Sequence, residues 1–477
     1  MLTTKSVRRS RSLQTGWTTN PSTQLSLNGI HNDKPINATN AVDGFLSPFD
    51  TFFKSGNHSV HETAKKYLKG LFQSSKRNME RMAEVVPDSN DQVFQNFLTH
   101  SSWDYRPVLD RVAEDTNRLF GNRANTGLII DESGFEKKGK RSVGVARQWN
   151  GRLGKVENSQ VGVFAALVNE GNVGLVDTRL YLPTEWTDDP ARCAKANIPV
   201  SERSFKTKPE LALEMVRHAR QCGIEFEWVG ADALYGNTPS FLAALDQYGE
   251  LFVVDVHKDQ RVFLENPEPY LPAASAKGRK PTRYLVDAHS IEVRDIVDGS
   301  KKRDWKKKTL RSSSTGHLQV EILRRKVWVW EVGSARAHKW HLIVRREIKS
   351  PDTVKYSLSN ASSETSALKL AKMQAQRYWI ERAFQDLKSH VGMAQYQARQ
   401  WQSWHRHMTL VMLAGLFMLQ LRITNQEQIP YLSCYDIQVV FAHSLSSKQT
   451  NTGEIIAQMQ ERHRRRARAV KKHQLVT

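Results

Sequence analysis

The sequence predicts a mixed α/β protein in which helical regions lie on both sides of a sheet-forming middle. Three observations support this fold class. Apolar residues recur at helical spacing from about residue 58 to 120, short apolar runs bounded by turn residues follow from residue 124, and a strong helical pattern returns after residue 351. With 477 residues, of which 39% are hydrophobic, the chain can form several domains around a large buried core.

The charge of the chain indicates the kind of partner. Seventy Lys and Arg residues stand against 49 Asp and Glu residues, so the formal net charge is +21. A surplus of this size favours a polyanion, either nucleic acid or an acidic membrane surface, with solubility alone as the plainer interpretation. The apolar run 408–421 is too short to span a bilayer, and no basic amphipathic helix accompanies the charge. We therefore expect a buried core helix there and no membrane partner.

The cysteines exclude two further classes of protein. Cys193, Cys222 and Cys434 lie far apart, and no C-x-x-C pair is present. This spacing argues against a thiolate zinc site and a disulfide scaffold, and it fits the reducing cytoplasm.

The N-terminal part divides into an arm and a helical region. Residues 1–45 are rich in Ser, Thr, Asn and basic groups, which predicts a flexible basic arm. Residues 46–122 predict short helices with basic faces, typical of a small α-helical N-terminal DNA-binding domain. A plain helical bundle with solvated Lys and Arg explains the pattern equally well. The candidate DNA contacts here are Lys76, Arg77 and Arg81.

The sheet-forming region, residues 123–257, begins with consecutive strands and continues with helical crossovers. We therefore expect a meander followed by α/β units. Arg147 and Lys155 flank a loop after the second strand and are candidate DNA contacts, with a glycine-rich hairpin tip as the plainer interpretation. The predicted strands are 126–131, 142–148, 161–168, 175–182, 225–232 and 251–256, and the predicted helices are 209–222 and 239–248.

Residues 258–350 predict a β-rich insertion. Residues 301–308 (KKRDWKKK) place six basic residues among eight, and Lys301, Lys302, Lys306 and Lys307 are candidate DNA contacts. The helical pattern resumes in residues 351–422, and residues 423–477 form a C-terminal region with a basic tail at 462–472. The predicted strands of the insertion are 283–286, 291–296, 318–323, 327–332 and 340–344.

Two of the predicted strands end in a carboxylate, at Asp131 and Asp232. Carboxylates that converge at one edge of a rigid sheet are what a two-metal phosphodiester site needs. Strand-terminal Asp residues are also frequent turn formers, so this signal alone is weak. We interpret the competing acids Asp177, Asp246 and Asp255 as turn or surface residues.

A third acid lies on a predicted helix over residues 366–390. Arg377, Glu381 and Lys388 fall within about 60° of one another at 100° per residue, so they share one face. Such a face can present a metal-binding carboxylate between two cations that hold phosphate. A row of ion pairs on a solvated helix is the competing interpretation.

These blocks give the chain a family resemblance. LIIDESGFEKKGKRSVGVARQW around Asp131, VGADALYG around Asp232 and RYWIERAFQDLKSHVGMAQYQARQWQSWHRHMTL around Glu381 resemble DDE transposases of bacterial insertion sequences, in particular insertion-sequence family 701 and its relative, family 4. The resemblance spans roughly residues 60–420. The family-4 signature Y-x(2)-R-x(3)-E-x(6)-K is met by Arg377, Glu381 and Lys388, whereas its Tyr position holds Gln374.

The resemblance implies an RNase H-like catalytic core, with a mixed five-stranded sheet, helices and the β-rich insertion between the second Asp and the Glu. It implies that Asp131, Asp232 and Glu381 bind two Mg²⁺, for which Mn²⁺ can substitute, and that Arg377 and Lys388 hold the phosphate. Family members bind terminal inverted repeats of double-stranded DNA, cleave at element ends and join the 3′ ends to target DNA.

The same resemblance implies a homodimer on paired element ends, associated with the nucleoid in the bacterial cytoplasm. A catalytically silent DNA-binding protein derived from a transposase is the alternative, and the presence of all three acids argues against it. A structural basic protein is a further alternative, disfavoured by the three matching blocks.

Aromatic residues near Glu381 add candidate DNA contacts. Trp401 and Trp404 stand beside Arg399 and Arg406, and together they could stack an unpaired base. Partly buried packing is the more common role of such tryptophans.

Overall fold

The computed structural model describes residues 38–55, 58–151, 153–274, 279–313 and 316–474. The helices are α1 (Ala38–Leu46), α2 (His61–Gln73), α3 (Met79–Val85), α4 (Asp91–Thr99), α5 (Tyr105–Phe120), α6 (Thr184–Thr187), α7 (Pro190–Lys195), α8 (Lys208–Gln221), α9 (Ala233–Gly236), α10 (Pro239–Gln247), α11 (Val293–Asp298), α12 (Ala367–Gln376), α13 (Tyr378–His390), α14 (Trp401–Thr424), α15 (Cys434–Ser444) and α16 (Thr452–Gln474). Short 3₁₀ segments cover Ser47–Phe53, Val200–Glu202 and Lys302–Asp304.

The strands are β1 (Lys54–Ser55), β2 (His58–Ser59), β3 (Gly127–Glu136), β4 (Ala146–Asn150), β5 (Lys155–Asn169), β6 (Asn172–Leu180), β7 (Trp228–Ala231), β8 (Phe252–Val256), β9 (Arg261–Val262), β10 (Ile291–Glu292), β11 (Lys306–Ser313), β12 (Gly316–Trp330), β13 (Ala337–Glu347) and β14 (Ser350–Ser359). The α/β class expected from the sequence is confirmed.

One mixed sheet of ten strands organises the molecule, in the order β11-β12-β13-β14-β8-β7-β3-β5-β4, with β6 also paired to β5. Strands β3, β7 and β8 are parallel, and the other pairs are antiparallel. Strands β3 to β8 lie within residues 123–257, where the sequence predicts strands. The sheet is larger than expected because β14 pairs with β8, so that the insertion extends the core sheet.

Several boundaries inside the insertion differ from the sequence expectation. Residues 283–286 make only isolated bridges, and residues 293–298 form α11 instead of continuing a strand. The two strands expected within 318–332 are a single strand, β12, because its pairing with β13 runs without a break from Val320 to Trp330. The domain boundary expected at residue 350 falls within β14. Pro351 lies at a register irregularity of this strand, where a residue without an N–H is tolerated.

The N-terminal helices share their core with the C-terminal ones. Tyr67 of α2 hydrogen-bonds to His407 of α14 at 2.9 Å, and the rings of Phe45 and Phe72 contact that of Phe417. Residues 1–37 of the predicted arm lie outside the described residues. Residues 38–45 belong to α1, whose apolar face is buried, so the prediction of an arm is wrong for them.

Helix α14 is the buried core helix that the apolar run predicts. Among the described residues it is the one helix long and apolar enough to cross a membrane, yet 72% of its most apolar window is buried inside the protein. It fills the face of the sheet opposite to α8 and α10. The basic tail, expected as a solvated segment, continues as α16, where Arg462 pairs with Glu84 and Arg465 pairs with Asp91.

Candidate active site

The register of two parallel strands brings Asp131 and Asp232 together. Ile130 of β3 pairs with Ala231 of β7, and the next residue on each strand is an Asp. Asp131 is buried, and its carboxylate accepts a hydrogen bond from the N–H of Glu132 at 2.8 Å. Asp232 caps α9 and accepts from the N–H of Leu234 at 2.9 Å. Two carboxylates therefore lie side by side at one edge of the sheet.

Glu132 adds a third carboxylate that the sequence analysis missed. Oxygen atoms of Asp131, Glu132 and Asp232 lie within 4.8 Å of one another. Glu132 is fixed by Lys208 at 3.1 Å and by the Tyr235 hydroxyl at 3.2 Å. Side chains alternate along a strand, so Asp131 and Glu132 start from opposite faces of β3. The cluster forms because Asp232 comes just after the end of β7, next to both of them. The only signal in the sequence was its position next to Asp131.

Arg377 joins the acids across the interface between sheet and helix. It lies where α12 meets α13, so the predicted helix over 366–390 is interrupted there. Its Nη1 is 3.3 Å from Asp131, its Nε is 3.2 Å from Asp255, and its Nη2 is 2.7 Å from Glu381. Burial opposes the charge of this guanidinium, but the surrounding carboxylates outweigh burial and raise its pKa above the usual range. Arg377 is therefore a permanent cation of the site.

Asp131 and Asp232 hold their protons more tightly than an exposed carboxyl does. Burial and the charge of Asp232 raise the pKa of Asp131 well above its ordinary value, although Arg377 opposes the shift. Burial and the charge of Glu132 raise the pKa of Asp232 to about 6. The single guanidinium thus compensates only part of the negative charge. An oxygen-rich, under-compensated cluster is a donor set that suits a hard divalent cation.

An open cleft of about 620 Å³ collects all five predicted catalytic residues, Asp131, Asp232, Arg377, Glu381 and Lys388. Glu381 lies in the first turn of α13, where its side chain is 49% exposed. The Nζ of Lys388, two turns later, donates to the carbonyl of Gly134 at 3.3 Å. The structure therefore brings together the residues that the sequence placed on two strands and one helix face. Helix α13 does carry i,i+4 ion pairs, as the alternative interpretation expected, and one of them, Arg377–Glu381, faces this cleft.

Two acids that we interpreted as turn or surface residues are buried. Asp255 lies within β8, where it pairs with Arg377 and accepts from the Ser357 hydroxyl at 2.5 Å. Burial raises the pKa of Asp255 above its ordinary value, while Arg377 opposes the rise. Asp177 lies within β6 and pairs with Arg106 at 2.9 Å and Arg179 at 2.7 Å. Both predictions are wrong, because each carboxylate is largely buried and is paired with a partly buried arginine. Asp246 is on the partly exposed surface of α10, as expected.

Gln374, which occupies the Tyr position of the family signature, is buried in the polar chain behind Arg377. Its amide donates to the Ser357 hydroxyl at 2.6 Å, and its Oε1 accepts from Arg345 at 2.9 Å. Ser357 in turn donates to Asp255, which holds Arg377. The insertion strands β13 and β14 are thereby hydrogen-bonded to the catalytic cleft.

Four predicted DNA contacts are buried, and we correct them. Arg77 donates to the carbonyls of Leu71 and Ser389. Arg406 donates to the carbonyls of Leu98, Ser101 and Trp103, and burial lowers its pKa to about 10. Trp401 and Trp404 pack inside the core, as the alternative interpretation expected. These side chains brace helices and are not accessible to DNA.

The remaining predicted contacts are accessible to a ligand. Lys306 and Lys307 lie on β11, the outermost strand of the sheet, and Arg81 is partly exposed beside Glu84. An exposed aromatic residue that the sequence analysis did not select, Trp149 of β4, is 55% exposed and lines the catalytic cleft. The signal available in the sequence was strand alternation, which places Trp149 on the same outward side as Arg147, shortly before Gly151. The other exposed candidates are Lys76, Arg147, Lys155, Lys301, Lys302 and Arg399.

A second group of metal-ligand side chains lies away from the cleft. Asp110, His218 and Cys222 place ligand atoms within 4.8 Å of one another. The Asp110 carboxylate, however, is already paired with Arg106 at 2.8 Å and with His218 at 2.8 Å. A guanidinium beside the same carboxylate disfavours a second cation, so we interpret this group as a structural ion-pair network.

Comparison with known proteins agrees with the geometry of the cleft. The chain is 30% identical over 222 residues to a probable transposase for insertion sequence element IS701 from Microchaete diplosiphon. The match covers 46% of this chain and 55% of that relative, so the chain spans about half the length of the curated relative. The profile of the DDE superfamily endonucleases matches residues 51–317, a segment that contains Asp131 and Asp232 and ends before Glu381. Because this match covers more than half of the sequence, the chain belongs to the DDE superfamily endonucleases.

Proposed function

We propose that this chain is a DNA transposase that cleaves the ends of a mobile element and joins the freed 3′ ends to target DNA. The observation that carries the proposal is the convergence of Asp131, Asp232 and Glu381 on one open cleft that also holds Arg377 and Lys388. The similarity to the IS701 relative supports it. The central strands β6, β5, β3, β7 and β8 support an RNase H-like catalytic core.

Asp131, Asp232 and Glu381 are the residues that we propose to hold two divalent cations, Mg²⁺ with Mn²⁺ as a substitute. The donor set fits, because hard cations take carboxylate oxygens and this cluster carries uncompensated negative charge. Such cations, when bound, supply the positive charge that activates an attacking hydroxyl and stabilises the leaving oxygen. Glu132 places a fourth carboxylate beside the first two.

The cationic side chains of the cleft have separate tasks in this proposal. Arg377 orients Asp131 and Glu381 through its two terminal nitrogen atoms, and Asp255 holds the guanidinium from behind. Lys388 is anchored on the Gly134 carbonyl and presents its charge to a phosphate in the cleft. Trp149 takes the base-stacking role that we first assigned to Trp401 and Trp404, because it is exposed in the same cleft.

The DNA partners follow from the charge and the family. We propose that the chain acts as a homodimer on paired terminal inverted repeats, with the α1–α5 region contributing to end recognition. Exposed cations on α2–α3, on the β4–β5 hairpin and on β11 support contact with the phosphate backbone. A bacterial cytoplasmic, nucleoid-associated location is part of the same proposal.

The test uses a supercoiled plasmid that carries the genomic element encoding this chain. Purified protein and Mg²⁺ should produce double-strand breaks at both element ends, and sequencing should recover joined 3′ ends in a target plasmid. Chelation of the metal should abolish both products. Binding to the ends without any strand cleavage would overturn the proposal in favour of the catalytically silent DNA-binding protein.

A further inference from the structure

A second large cavity, of about 1090 Å³, lies beside the catalytic cleft. One wall is the loop that follows β3, and the other walls are the segment 394–400 and the helices α3 and α4. We call this cavity the basic groove and define it by the exposed cationic residues that line it, Lys138, Lys140, Arg141 and Arg399, with His100 of the helical region opposite.

The basic groove continues from the catalytic cleft along one strand. Ser133 and Gly134 of β3 line the cleft, and Glu136, at the end of the same strand, lines the groove. The chain after α13 follows the same path, since Ser389 lines the cleft and Ala394 lines the groove. The cleft and the groove are therefore neighbours along β3 and along the chain that follows α13.

The described lining of the groove carries more positive than negative charge. Among the residues that the structure describes, Lys138, Lys140, Arg141 and Arg399 form no ion pair with a carboxylate. Glu136 is the single acidic residue in the described lining. Clustered cations without acidic partners repel one another, and a linear polyanion relieves that repulsion.

Hydrogen bonds connect the walls of the groove. The Nζ of Lys137 donates to the Tyr396 carbonyl at 3.1 Å and lies 4.0 Å from the centre of the Tyr396 ring. The N–H of Val143 donates to the Arg399 carbonyl at 2.9 Å, and the Tyr396 hydroxyl donates to Gln160 at 2.8 Å. These bonds tie the two walls together, so little ordering is needed when a ligand binds.

We propose that the basic groove binds the phosphate backbone of the DNA about five base pairs from the phosphate that is cut, which fixes the register of the element end in the cleft. This inference rests on the proposed function. The expected distance between the cut phosphate and the groove comes from β3. Its five steps from Asp131 in the cleft to Glu136 in the groove lining span about 17 Å, at about 3.4 Å per residue. The same length corresponds to about five base pairs of duplex at 3.4 Å per step.

The test compares two double variants of the full-length protein. Lys138→Ala with Arg141→Ala removes two cations of the groove. The matched control, Arg118→Ala with Arg217→Ala, removes two exposed arginines near the C-terminal ends of α5 and α8. Those helix ends lie at the edge of the sheet where β3 and β7 begin, opposite to the edge with Asp131 and Asp232. Circular dichroism and thermal unfolding establish that both variants are folded.

The measurement is binding and Mg²⁺-dependent cleavage of labelled element ends in which single phosphates are replaced by neutral methylphosphonates. We expect about 10-fold weaker binding by the groove variant, a salt slope reduced by about 2, and near wild-type behaviour of the control. A methylphosphonate about five positions from the cut should weaken the wild type and have little further effect on the groove variant.

The possible outcomes separate the two proposals. If the wild type cleaves the ends while the groove variant binds like the control, or interference lies only at other phosphates, the groove assignment is overturned. If the wild type never cleaves but binding still depends on the groove cations, the proposed function fails while the groove remains a DNA-binding surface.

Discussion

Asp232 and Asp177 are both largely buried carboxyls, yet their surroundings move their pKa values in opposite directions. Burial and the neighbouring Glu132 raise the pKa of Asp232 to about 6. For Asp177, burial favours the neutral form, but the guanidiniums of Arg179 and Arg106 outweigh it and lower the pKa below the ordinary value. The charged form of Asp232 therefore destabilises the metal-free protein, whereas that of Asp177 stabilises it.

We predict that Asp232→Asn stabilises the metal-free protein at pH 7.5 by about 1–3 kcal/mol. The folded protein binds the Asp232 proton more tightly than the unfolded chain, so stability falls as the pH rises from about 4 to 6 and the full cost is present above about 6. Asparagine keeps the cap of α9 without the charge. Denaturant unfolding at pH 7.5 and pH 4.5 measures the effect, and the gain should shrink at the lower pH.

The control for this prediction is Asp177→Asn, which should lower the free energy of unfolding at pH 7.5. Its stabilising charge is present above the unfolded pKa and is lost as the pH falls through the lowered folded value. Destabilisation by both substitutions at pH 7.5 would show that the acid cluster is not under electrostatic strain.

We predict that Asp255→Asn slows DNA cleavage about 10-fold at saturating DNA and leaves the affinity for DNA near its wild-type value. The amide can still accept from Ser357, but Arg377 loses the anion that holds its Nε. Misplacement of a positioning group by a fraction of an ångström is enough for a loss of this size. Single-turnover cleavage measures the rate. Asp246→Asn on α10 is the control, and an equal loss in both variants would argue against a role of Asp255 in the site.

The spacing of Arg377, Glu381 and Lys388 predicted a shared face because helical periodicity is local. The partners of Arg377 that are distant in the sequence, Asp131 and Asp255, could not be predicted in the same way. Asp255 comes more than a hundred residues earlier in the chain, and its contact depends on how β8 and β14 align below α13. Glu132 was overlooked for a related reason, since its neighbour Asp232 joins it only through the pairing of β3 with β7.

At the scale of elements, the short helix α9 holds the site because a glycine lets it approach β8. A Cβ on Gly236 would lie 1.9 Å from the carbonyl oxygen of Asp255. Asp232 caps the other end of this helix. The backbone of β8 cannot move away, because it pairs with β7 on one side and β14 on the other. One close contact thus determines the position of the Asp232 carboxylate.

We predict that Gly236→Ala lowers the free energy of unfolding by about 2 kcal/mol or more and slows cleavage at least 10-fold, because α9 must shift with Asp232. Gly299→Ala at the C-terminal end of α11 is the control, since its φ is negative and the nearest atom to a Cβ there lies 3.3 Å away. Thermal unfolding and cleavage rates measure both variants. Wild-type cleavage by Gly236→Ala would contradict the account of how Asp232 is placed.

Strand and helix types in the core were predictable from the sequence, and the insertion was less so. Residues 128–130 of β3, 161–168 of β5 and 252–254 of β8 form apolar runs, which are a local signal. The pattern did not reveal that β14 pairs with β8 and joins the insertion to the core sheet. Strand pairing depends on contacts between distant segments, which the alternation of side chains within one strand does not encode.

At the scale of the whole molecule, the N-terminal helices and the catalytic region share one hydrophobic core. Helix α14 contacts α2, α4 and α5 on one side and β6 on the other. We predict that residues 38–122 expressed alone do not fold stably, and that the full chain loses both regions in one thermal transition. Circular dichroism of the fragment and calorimetry of the chain measure this. A helical, cooperatively melting fragment would restore the independent N-terminal domain that the sequence suggests.

The surplus of positive charge surrounds a negative centre. Exposed cations lie on the helical region, in the basic groove and on β11, whereas the catalytic cleft contains Asp131, Asp232 and Glu381. The sequence predicted the overall charge and the three acids. It could not predict that Arg77 and Arg406 would be buried, because their role as braces depends on carbonyl groups from distant segments.

The most direct test of the account is single-turnover cleavage of labelled element-end DNA with Mg²⁺ by the wild type, Asp131→Asn and Glu381→Gln, at equal occupancy of the DNA. Both substitutions keep the shape of the side chain and remove its charge. We predict that the two variants bind DNA like the wild type and cleave it at least 10³-fold more slowly, the scale expected when a charged catalytic group is removed. Cleavage at a wild-type rate by either variant would contradict a three-carboxylate catalytic site.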